Sequence, residues 1–214
     1  MIDYERLYRF RFRNVDDGRR QRVWNVIAVD VHRRMRNPRV VLDAGGGGGQ
    51  FINAVPAEER WMVDRLSYGN IDSGVKVILE DILDVDMPRE YFDGVFVSNV
   101  LEHLPTQEAV AMLLGRLRKF IKPGGVIAVM GPNFRYCSSR YFDCADHTLA
   151  LTHASVEEHL YAAGFKPVVV RKRYLPFSFS GLLPSSPFLV ALYLKVTPAH
   201  AILGKQFLVV ADRT

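Results

Sequence analysis

Short runs of apolar and β-branched residues recur along the chain, and polar or glycine-containing stretches separate them. Runs of this length between turn residues are typical of buried β-strands. The first run, RVVLDAG, is apolar on both faces, as the strands of parallel sheets are. The pattern predicts seven strands, at residues 39–45, 60–64, 75–79, 92–99, 125–133, 166–174 and 204–213.

Helical periodicity lies between several of these runs. Residues 23–35 and 106–121 repeat apolar side chains at spacings of three and four, and the KPGG that follows ends the second helix. In the segment 155–165, Ser155 as N-cap and Glu158 three residues later predict a capping box. Strands that alternate with helices predict an α/β fold, with a doubly wound, mostly parallel sheet and helices on both faces.

Five consecutive glycines, Gly45 to Gly49, follow the first predicted strand and precede a helix that begins near Gln50. Glycine leaves the backbone bare, so such a turn lets a ligand approach the main chain. The spacing does not match G-x-G-x-x-G, and the chain has no G-x-x-x-x-G-K-[ST], which disfavours dinucleotide binding and triphosphate hydrolysis. What fits is D-x-G-x-G-x-G, formed by Asp43, Gly45, Gly47 and Gly49.

With this loop the sequence resembles the class I S-adenosylmethionine-dependent methyltransferases, in particular the type 11-like bacterial enzymes that act on small molecules. The resemblance continues through LEDIL, FDGVFVSNVLEHL and LRKFIKPGGVIAVMGPN, and it covers about residues 39–174. It implies a Rossmann-like sheet of seven strands with an antiparallel last strand, and S-adenosylmethionine (SAM) as cofactor. The cofactor-binding residues that it implies are Asp43, Gly45, Gly47, Gly49, Asp64, Asp81, Ile82, Ser98 and Asn99.

The resemblance also implies a role for most of these residues. Asp64 would accept hydrogen bonds from the ribose hydroxyls, which suits a carboxylate. Asp81 would meet the adenine amino group, while Ser98 and Asn99 would line the cofactor cleft. The structural alternatives are that Asp43 orients the loop amides and that the other two carboxylates are solvated charges at strand ends.

Two histidines are candidates for a catalytic base. His103 stands beside Glu102 after the fourth strand, in a pair similar to that of some ubiquinone-type O-methyltransferases, which implies a base or a metal-assisted role; packing at a helix start is the alternative. His147 is adjacent to Asp146 in a polar connector after the fifth strand, where the family builds its acceptor pocket. An Asp–His pair is a credible general base, and pinning the loop is the alternative. We expect no metal, because two ligand-type side chains do not make a metal site.

The net charge of +5 comes from the first part of the chain, since residues 1–39 hold 11 of the 28 Lys and Arg residues but only 5 of the 23 acidic ones. This predicts a solvated basic helix or a contact with an anionic partner. Nucleic acid is not expected, because no recognition motif accompanies the charge. The two cysteines, Cys137 and Cys144, lie outside any ligand or disulfide pattern, and the charged start is not typical of a signal peptide. These features predict a cytoplasmic protein without a membrane span.

We expect a single domain over residues 1–214, with a methyltransferase activity directed to oxygen. Its parts would be a basic helical segment (1–38), the cofactor-binding core (39–174), an apolar insert (175–204) and the final strand (205–214). The insert predicts a lid, a homodimer interface or a peripheral membrane contact. Oxygen is expected because SNVLEH replaces the asparagine–proline signature of many amine and amide methyltransferases. The expected acceptor is a small molecule, a sugar or a lipid-linked glycan, since the apolar insert accompanies a basic N-terminal segment and the chain resembles bacterial methyltransferases of sugars and cell-envelope polysaccharides. A non-catalytic partner subunit with the same fold is the alternative.

Overall fold

The computed structural model describes residues 2–66, 69–177 and 186–214, and one mixed β-sheet forms its centre. The strands lie in the order β3-β2-β1-β4-β5-β7-β6. β7 is antiparallel to both of its neighbours, and the other strands run parallel to one another. The predicted fold class is therefore confirmed. The strands are β1 (Val40–Ala44), β2 (Glu59–Val63), β3 (Val75–Ile78), β4 (Phe92–Ser98), β5 (Ile121–Pro132), β6 (Phe165–Arg171) and β7 (Gln206–Arg213).

Helices cover both faces of this sheet. One apolar cluster contains the buried sides of α4 and α6, and a second cluster, on the opposite face, contains those of α2 and α3. The strands are apolar on both faces because both are covered in this way. The helices are α1 (Tyr4–Arg11), α2 (Asp17–Arg34), α3 (Gln50–Ala54), α4 (Gln107–Phe120), α5 (Phe134–Tyr141), α6 (His153–Ala162), α7 (Pro187–Lys195) and α8 (Thr197–Leu203), with a 3-10 turn at Leu101–His103.

Two helix boundaries differ from the predictions. α2 begins six residues early, because Asp16 caps it by accepting a hydrogen bond from the amide of Arg19 at 2.7 Å. α6 begins after Thr152, and Ser155 is its third helical residue rather than its N-cap. Thr152 and Ser155 each accept a hydrogen bond from the backbone amide of the other. Both residue types cap helices well, so the local pattern left the choice between them open.

The predicted apolar insert contains two short helices. The two ends of the insert lie together, since the amide of Lys205 donates to the carbonyl of Leu175 at 2.7 Å. Between them α7 packs against α2 with Val190, Tyr193 and Leu194. The opposite side of α7 and part of α8 leave several apolar side chains exposed, Phe188, Leu192 and Ile202 among them.

The three uses of the insert stay predictions, and so does the single-domain organisation. Residues 178–185 of the insert lie outside the described residues. Across the parts of the chain that the structure describes, the helices are too short or too polar to span a bilayer.

Candidate active site

The glycine loop follows β1 at the carboxyl edge of the parallel strands, where open α/β sheets bind their ligands. Three of its glycines, Gly45, Gly47 and Gly49, have φ angles of 80°, 53° and 73°. L-residues with a side chain rarely adopt this left-handed conformation. At Gly45 a Cβ atom would also lie 2.3 Å from Cγ2 of Val100, which follows β4. The loop therefore needs glycine both for its turn and for its close approach to the neighbouring strand end.

Asp64, at the end of β2, holds this loop. Its Oδ2 accepts a hydrogen bond from the amide of Gly47 at 2.8 Å, and its Oδ1 accepts one from Leu66 at 2.9 Å. The structural alternative predicted that Asp43 orients the amides of the loop. Among the described residues, it is the carboxylate of Asp64 that accepts a hydrogen bond from a loop amide. A carboxylate has about four acceptor positions, so Asp64 retains capacity for a diol.

Asp43 is a buried carboxyl group at the end of β1, with 2% of its surface exposed. Burial raises its pKa to about 8, and the nearby charge of Asp64 adds to the effect. The pKa of Asp64 is raised as well, chiefly by burial, although the amides of Leu66 and Gly47 oppose the change. Two adjacent carboxyl groups in this environment favour a cationic ligand.

The remaining predicted cofactor residues lie at the next strand ends. Asp81, after β3, accepts a hydrogen bond from the amide of Leu83 at 2.9 Å and lies 3.6 Å from the guanidinium of Arg65. Ile82 is buried within the apolar cluster that includes α4, so its side chain is a core residue.

Ser98 and Asn99 end β4. Asn99 has φ of 53°, and its side-chain amide donates to Oγ of Ser98 at 2.9 Å. Asparagine tolerates this backbone better than most residues, and such conformations concentrate at functional sites.

These residues fit the cofactor that the resemblance implies. SAM carries a sulfonium and an ammonium group, and the buried Asp43 carboxyl beside Asp64 is a place that positive charge would stabilise. Asp64 and Asp81 would hold the ribose and the adenine, and the glycine loop would lie against the methionine part.

A second group of polar side chains lies beyond β4. Glu102, His103 and His147 each offer a carboxylate oxygen or ring nitrogen, and these atoms lie within 4.8 Å of one another. The Nδ1 atom of His103 donates to the backbone carbonyl of Asp146 at 2.9 Å. In the neutral ring this leaves the lone pair on Nε2. We call these three residues the Glu–His–His cluster.

The predicted pairing of Asp146 with His147 is wrong. The Asp146 carboxylate accepts two hydrogen bonds from Arg11 and lies 3.5 Å from Nδ1 of His103. Burial works against its charge, but the Arg11 bond and the nearby His103 hold its pKa below the usual range. His147 instead packs against the rings of Tyr141 and His103, and burial lowers its pKa to about 4, with the His103 charge as a further cause. The charge of Asp146 still acts on the His147 ring, but its carboxylate is hydrogen-bonded to Arg11.

Arg11 is the residue of this site that sequence reasoning missed. It ends α1. At the other end of this helix, the ring centroid of Tyr4 lies 5.2 Å from the guanidinium carbon of Arg65, the residue after Asp64. α1 therefore lies across the carboxyl ends of the strands, from β2 towards the Glu–His–His cluster. The basic composition of the segment was visible in the sequence, but the partner of Arg11 lies 135 residues away.

Other polar residues of the connector are structural. Asn133 donates its side-chain amide to Nδ1 of the buried His153 at 3.0 Å, and its backbone carbonyl accepts a hydrogen bond from Sγ of Cys137. Tyr141 donates its hydroxyl to the carbonyl of Leu149 at 2.6 Å. These bonds fix the connector that carries Asp146 and His147.

Comparison with known proteins gives a family for the chain. A family model described as a methyltransferase domain matches residues 17–168, most of the chain, and α1 precedes the matched range. A probable non-canonical nonribosomal peptide synthetase of Salinispora arenicola, CymA, is 29% identical over 168 residues. The match covers 72% of this chain but 2% of that synthetase, so the chain spans a small part of that protein.

Solved structures share the fold. A SAM-dependent methyltransferase from Archaeoglobus fulgidus superposes with a TM-score of 0.64 and 18% identity, over 98% of this chain and 100% of that one. Human N-acetylserotonin methyltransferase, solved in complex with SAM, gives a TM-score of 0.61 and 17% identity, over 99% of this chain and 60% of that one. At these identities the likeness concerns the fold.

Proposed function

Because the chain belongs to the methyltransferase-domain family and is a SAM-dependent methyltransferase, we propose that it methylates an oxygen atom of a small acceptor. SAM supplies a methyl group on a sulfonium, and transfer to a nucleophile is an in-line substitution. Family membership makes the chain an enzyme, and the non-catalytic alternative is therefore set aside. The protein must hold the two reactants in line and, for a hydroxyl acceptor, remove a proton.

The observation that carries this proposal is the hydrogen bond from Nδ1 of His103 to the carbonyl of Asp146. It orients the ring and leaves the lone pair on Nε2, in a side chain that lies close to Glu102 and His147. A hydroxyl is a weak nucleophile until it loses its proton, whereas a neutral amine is not, so a set of proton acceptors suits an oxygen nucleophile. The Glu–His–His cluster is thus the proposed place of the acceptor hydroxyl.

The residues at the neighbouring strand ends are the proposed cofactor site. Asp64 binds the ribose diol while it holds the loop amide of Gly47. Asp81 binds the adenine amino group, and Asp43 faces the positive charge of the methionine part. Ser98 and Asn99 line the cleft between these groups and the Glu–His–His cluster.

A small acceptor is supported by the position of α1. The helix lies across the strand ends and is tied to the connector by Arg11 and Asp146, which restricts the opening above the cleft. A sugar or a lipid-linked glycan is the extended form of this proposal, and the exposed apolar side chains of α7 and α8 would then contact the lipid. The cytoplasmic location and the homodimer stay predictions.

The test is an acceptor screen with purified protein and SAM. Catechol and methyl glucoside offer hydroxyl groups, and tryptamine offers an amine. We expect S-adenosylhomocysteine and a methyl ether from a hydroxyl probe, and His103→Asn should lower kcat about 10²–10⁴-fold while the dissociation constant for SAM is unchanged. Asparagine keeps a donor for the Asp146 carbonyl but lacks Nε2. His159→Asn, on the surface of α6, is the matched control. Methyl transfer to tryptamine alone would contradict the oxygen assignment.

A nitrogen acceptor on an amino acid or peptide is a second candidate. The observation that favours it is the similarity to part of a nonribosomal peptide synthetase. In that case tryptamine or an amino acid ester would be methylated, and the His103→Asn variant would retain most of its activity, because a neutral amine needs no base before the transfer.

A further inference from the structure

The Glu–His–His cluster combines residues from two distant parts of the chain. Glu102 and His103 belong to the 3-10 turn after β4, and His147 belongs to the connector that follows α5. Their ligand-type atoms lie within 4.8 Å of one another. Sequence reasoning found two such side chains and no third, whereas the fold adds His147.

Two atoms of this cluster are buried without a partner. Glu102 has 3% of its surface exposed, and its Oε1 atom finds no hydrogen-bond partner among the described residues. The Nδ1 atom of His147 is likewise unpaired within the described part of the chain. Buried polar atoms are paired in the great majority of cases, so each exception calls for an explanation. A ligand that accepts lone pairs from both atoms would account for the two exceptions together.

The environment of His103 matches that of a metal ligand. Metal-ligating histidines almost always donate their second ring N–H to a carboxylate or a backbone carbonyl, which fixes the tautomer. Here Nδ1 of His103 donates to the carbonyl of Asp146, and Arg11 anchors the Asp146 side chain from α1. The free Nε2 atom then carries its lone pair in a fixed direction.

We propose that Glu102, His103 and His147 bind one divalent transition-metal cation. Two imidazoles and one carboxylate suit Zn²⁺ or a similar first-row ion better than Mg²⁺, which prefers oxygen ligands. Ligands at about 2.1 Å from one ion lie roughly 3–3.5 Å apart, so the side chains close by up to about 2 Å on binding. Three protein ligands leave a coordination position open, as in catalytic rather than structural sites.

The chemical consequence of this site rests on the proposed function. With the ion bound, Nε2 of His103 is a ligand and no longer accepts the proton. A hydroxyl oxygen in the open position instead loses its proton to water more readily, because the cation stabilises the oxyanion. The oxygen–carbon bond then forms as the carbon–sulfur bond of SAM breaks, and the products are a methyl ether and S-adenosylhomocysteine. The rate of methylation should rise most for an acceptor with two neighbouring oxygens, since the second oxygen can also contact the ion. Catechol is therefore expected to be a better acceptor than methyl glucoside.

The test uses the untagged 214-residue chain after removal of metal with a chelator. Titration with Co²⁺, followed by its visible absorption and by calorimetry, should give one bound ion per chain, and Zn²⁺ should displace it. Glu102→Gln and His147→Asn should each weaken Co²⁺ binding at least tenfold, while His159→Asn, the surface control, should not change it. Circular dichroism and the melting temperature show which variants are folded. One folded variant, either Glu102→Gln or His147→Asn, is enough to test the ligand assignment.

The outcomes separate this inference from the proposed function. Absence of Co²⁺ binding to the folded wild-type chain overturns the metal site, and so does binding that a folded Glu102→Gln or His147→Asn variant retains in full. Hydroxyl methylation without Co²⁺ binding would leave the oxygen assignment intact and overturn the metal site. Co²⁺ binding by the wild-type chain that the folded variants lose supports the metal site, whichever acceptor is methylated. Methylation of tryptamine alone would then refute the oxygen assignment and leave the metal site intact.

Discussion

Replacing Asp43 with asparagine tests the electrostatics of the cofactor loop. The carboxyl group is buried next to Asp64, and burial followed by that neighbouring charge raises its pKa to about 8. At neutral pH the folded chain therefore holds a proton on Asp43 that the unfolded chain releases. Asparagine has nearly the shape of the protonated carboxyl group and cannot ionise.

The size of the effect follows from proton linkage. Below the ordinary pKa of 3.8, Asp43 is protonated in both the folded and the unfolded protein, so its ionisation does not change the free energy of unfolding. As the pH rises towards the folded pKa of about 8, the unfolded state has already lost its proton, so the wild-type protein loses stability. One such proton changes the free energy of unfolding by about 1.4 kcal/mol per pH unit, or about 2.7 kcal/mol from about pH 5 to about pH 7.

The assay is urea denaturation of the wild-type protein and Asp43→Asn at several pH values without cofactor. The difference between their free energies of unfolding should move in favour of the variant as the pH rises, and it should level off above about pH 8. Other titrating groups act on both proteins and largely cancel in this difference. Asp84→Asn, at an exposed carboxylate, is the matched control and should track the wild type.

A difference that stays constant over this pH range would refute the reasoning, because it would mean that Asp43 is ionised in the folded protein throughout. A positively charged ligand gives a further check. If SAM places its charge near Asp43, its binding favours the ionised carboxylate and releases a proton, so its affinity for the wild-type protein should rise with pH over the same range. Asp43→Asn should lose this dependence.

Three further predictions concern single contacts. Asp64→Ala should weaken SAM binding about 10–100-fold in calorimetry, because bonds to a charged acceptor are worth about 1.5–3 kcal/mol; NAD is the ligand control, and unchanged SAM affinity would contradict the cofactor assignment. Thr152→Ala should cost about 1 kcal/mol in urea denaturation through loss of the α6 cap, against little change for the exposed Ser139→Ala. Tyr174→Phe should cost about 1.5–3 kcal/mol, because the buried hydroxyl donates to Asp30 at 2.9 Å; a loss no larger than that of Tyr161→Phe, at an exposed tyrosine, would contradict this.

The sheet and the cofactor loop could be predicted from the sequence because their signals are local. Parallel strands buried on both faces produce continuous apolar runs, and each run became a strand within a few residues of its predicted bounds. A turn at positive φ favours glycine, and the three loop residues with positive φ are Gly45, Gly47 and Gly49. The order of Asp43, Asp64 and Asp81 along the chain then follows the order of the strand ends.

The errors came from choices that local patterns do not make. Thr152 and Ser155 are both good helix caps, and only the path of the connector selects Thr152. Asp146 and His147 are adjacent in sequence, yet the carboxylate binds Arg11 from α1 while the imidazole packs against Tyr141. Neighbouring side chains leave the backbone in different directions, so their partners depend on what the fold places on each side.

The sequence by itself determined the parallel sheet, the bare backbone after β1 and the acidic residues at the strand ends, since each arises from residues close together in the chain. Tertiary structure alone decided the composition of the Glu–His–His cluster. The bond between His103 and Asp146 spans 43 residues, and the bond between Arg11 and Asp146 spans 135. These contacts exist because the fold brings the connector and α1 to the end of β4, and no local spacing encodes that approach.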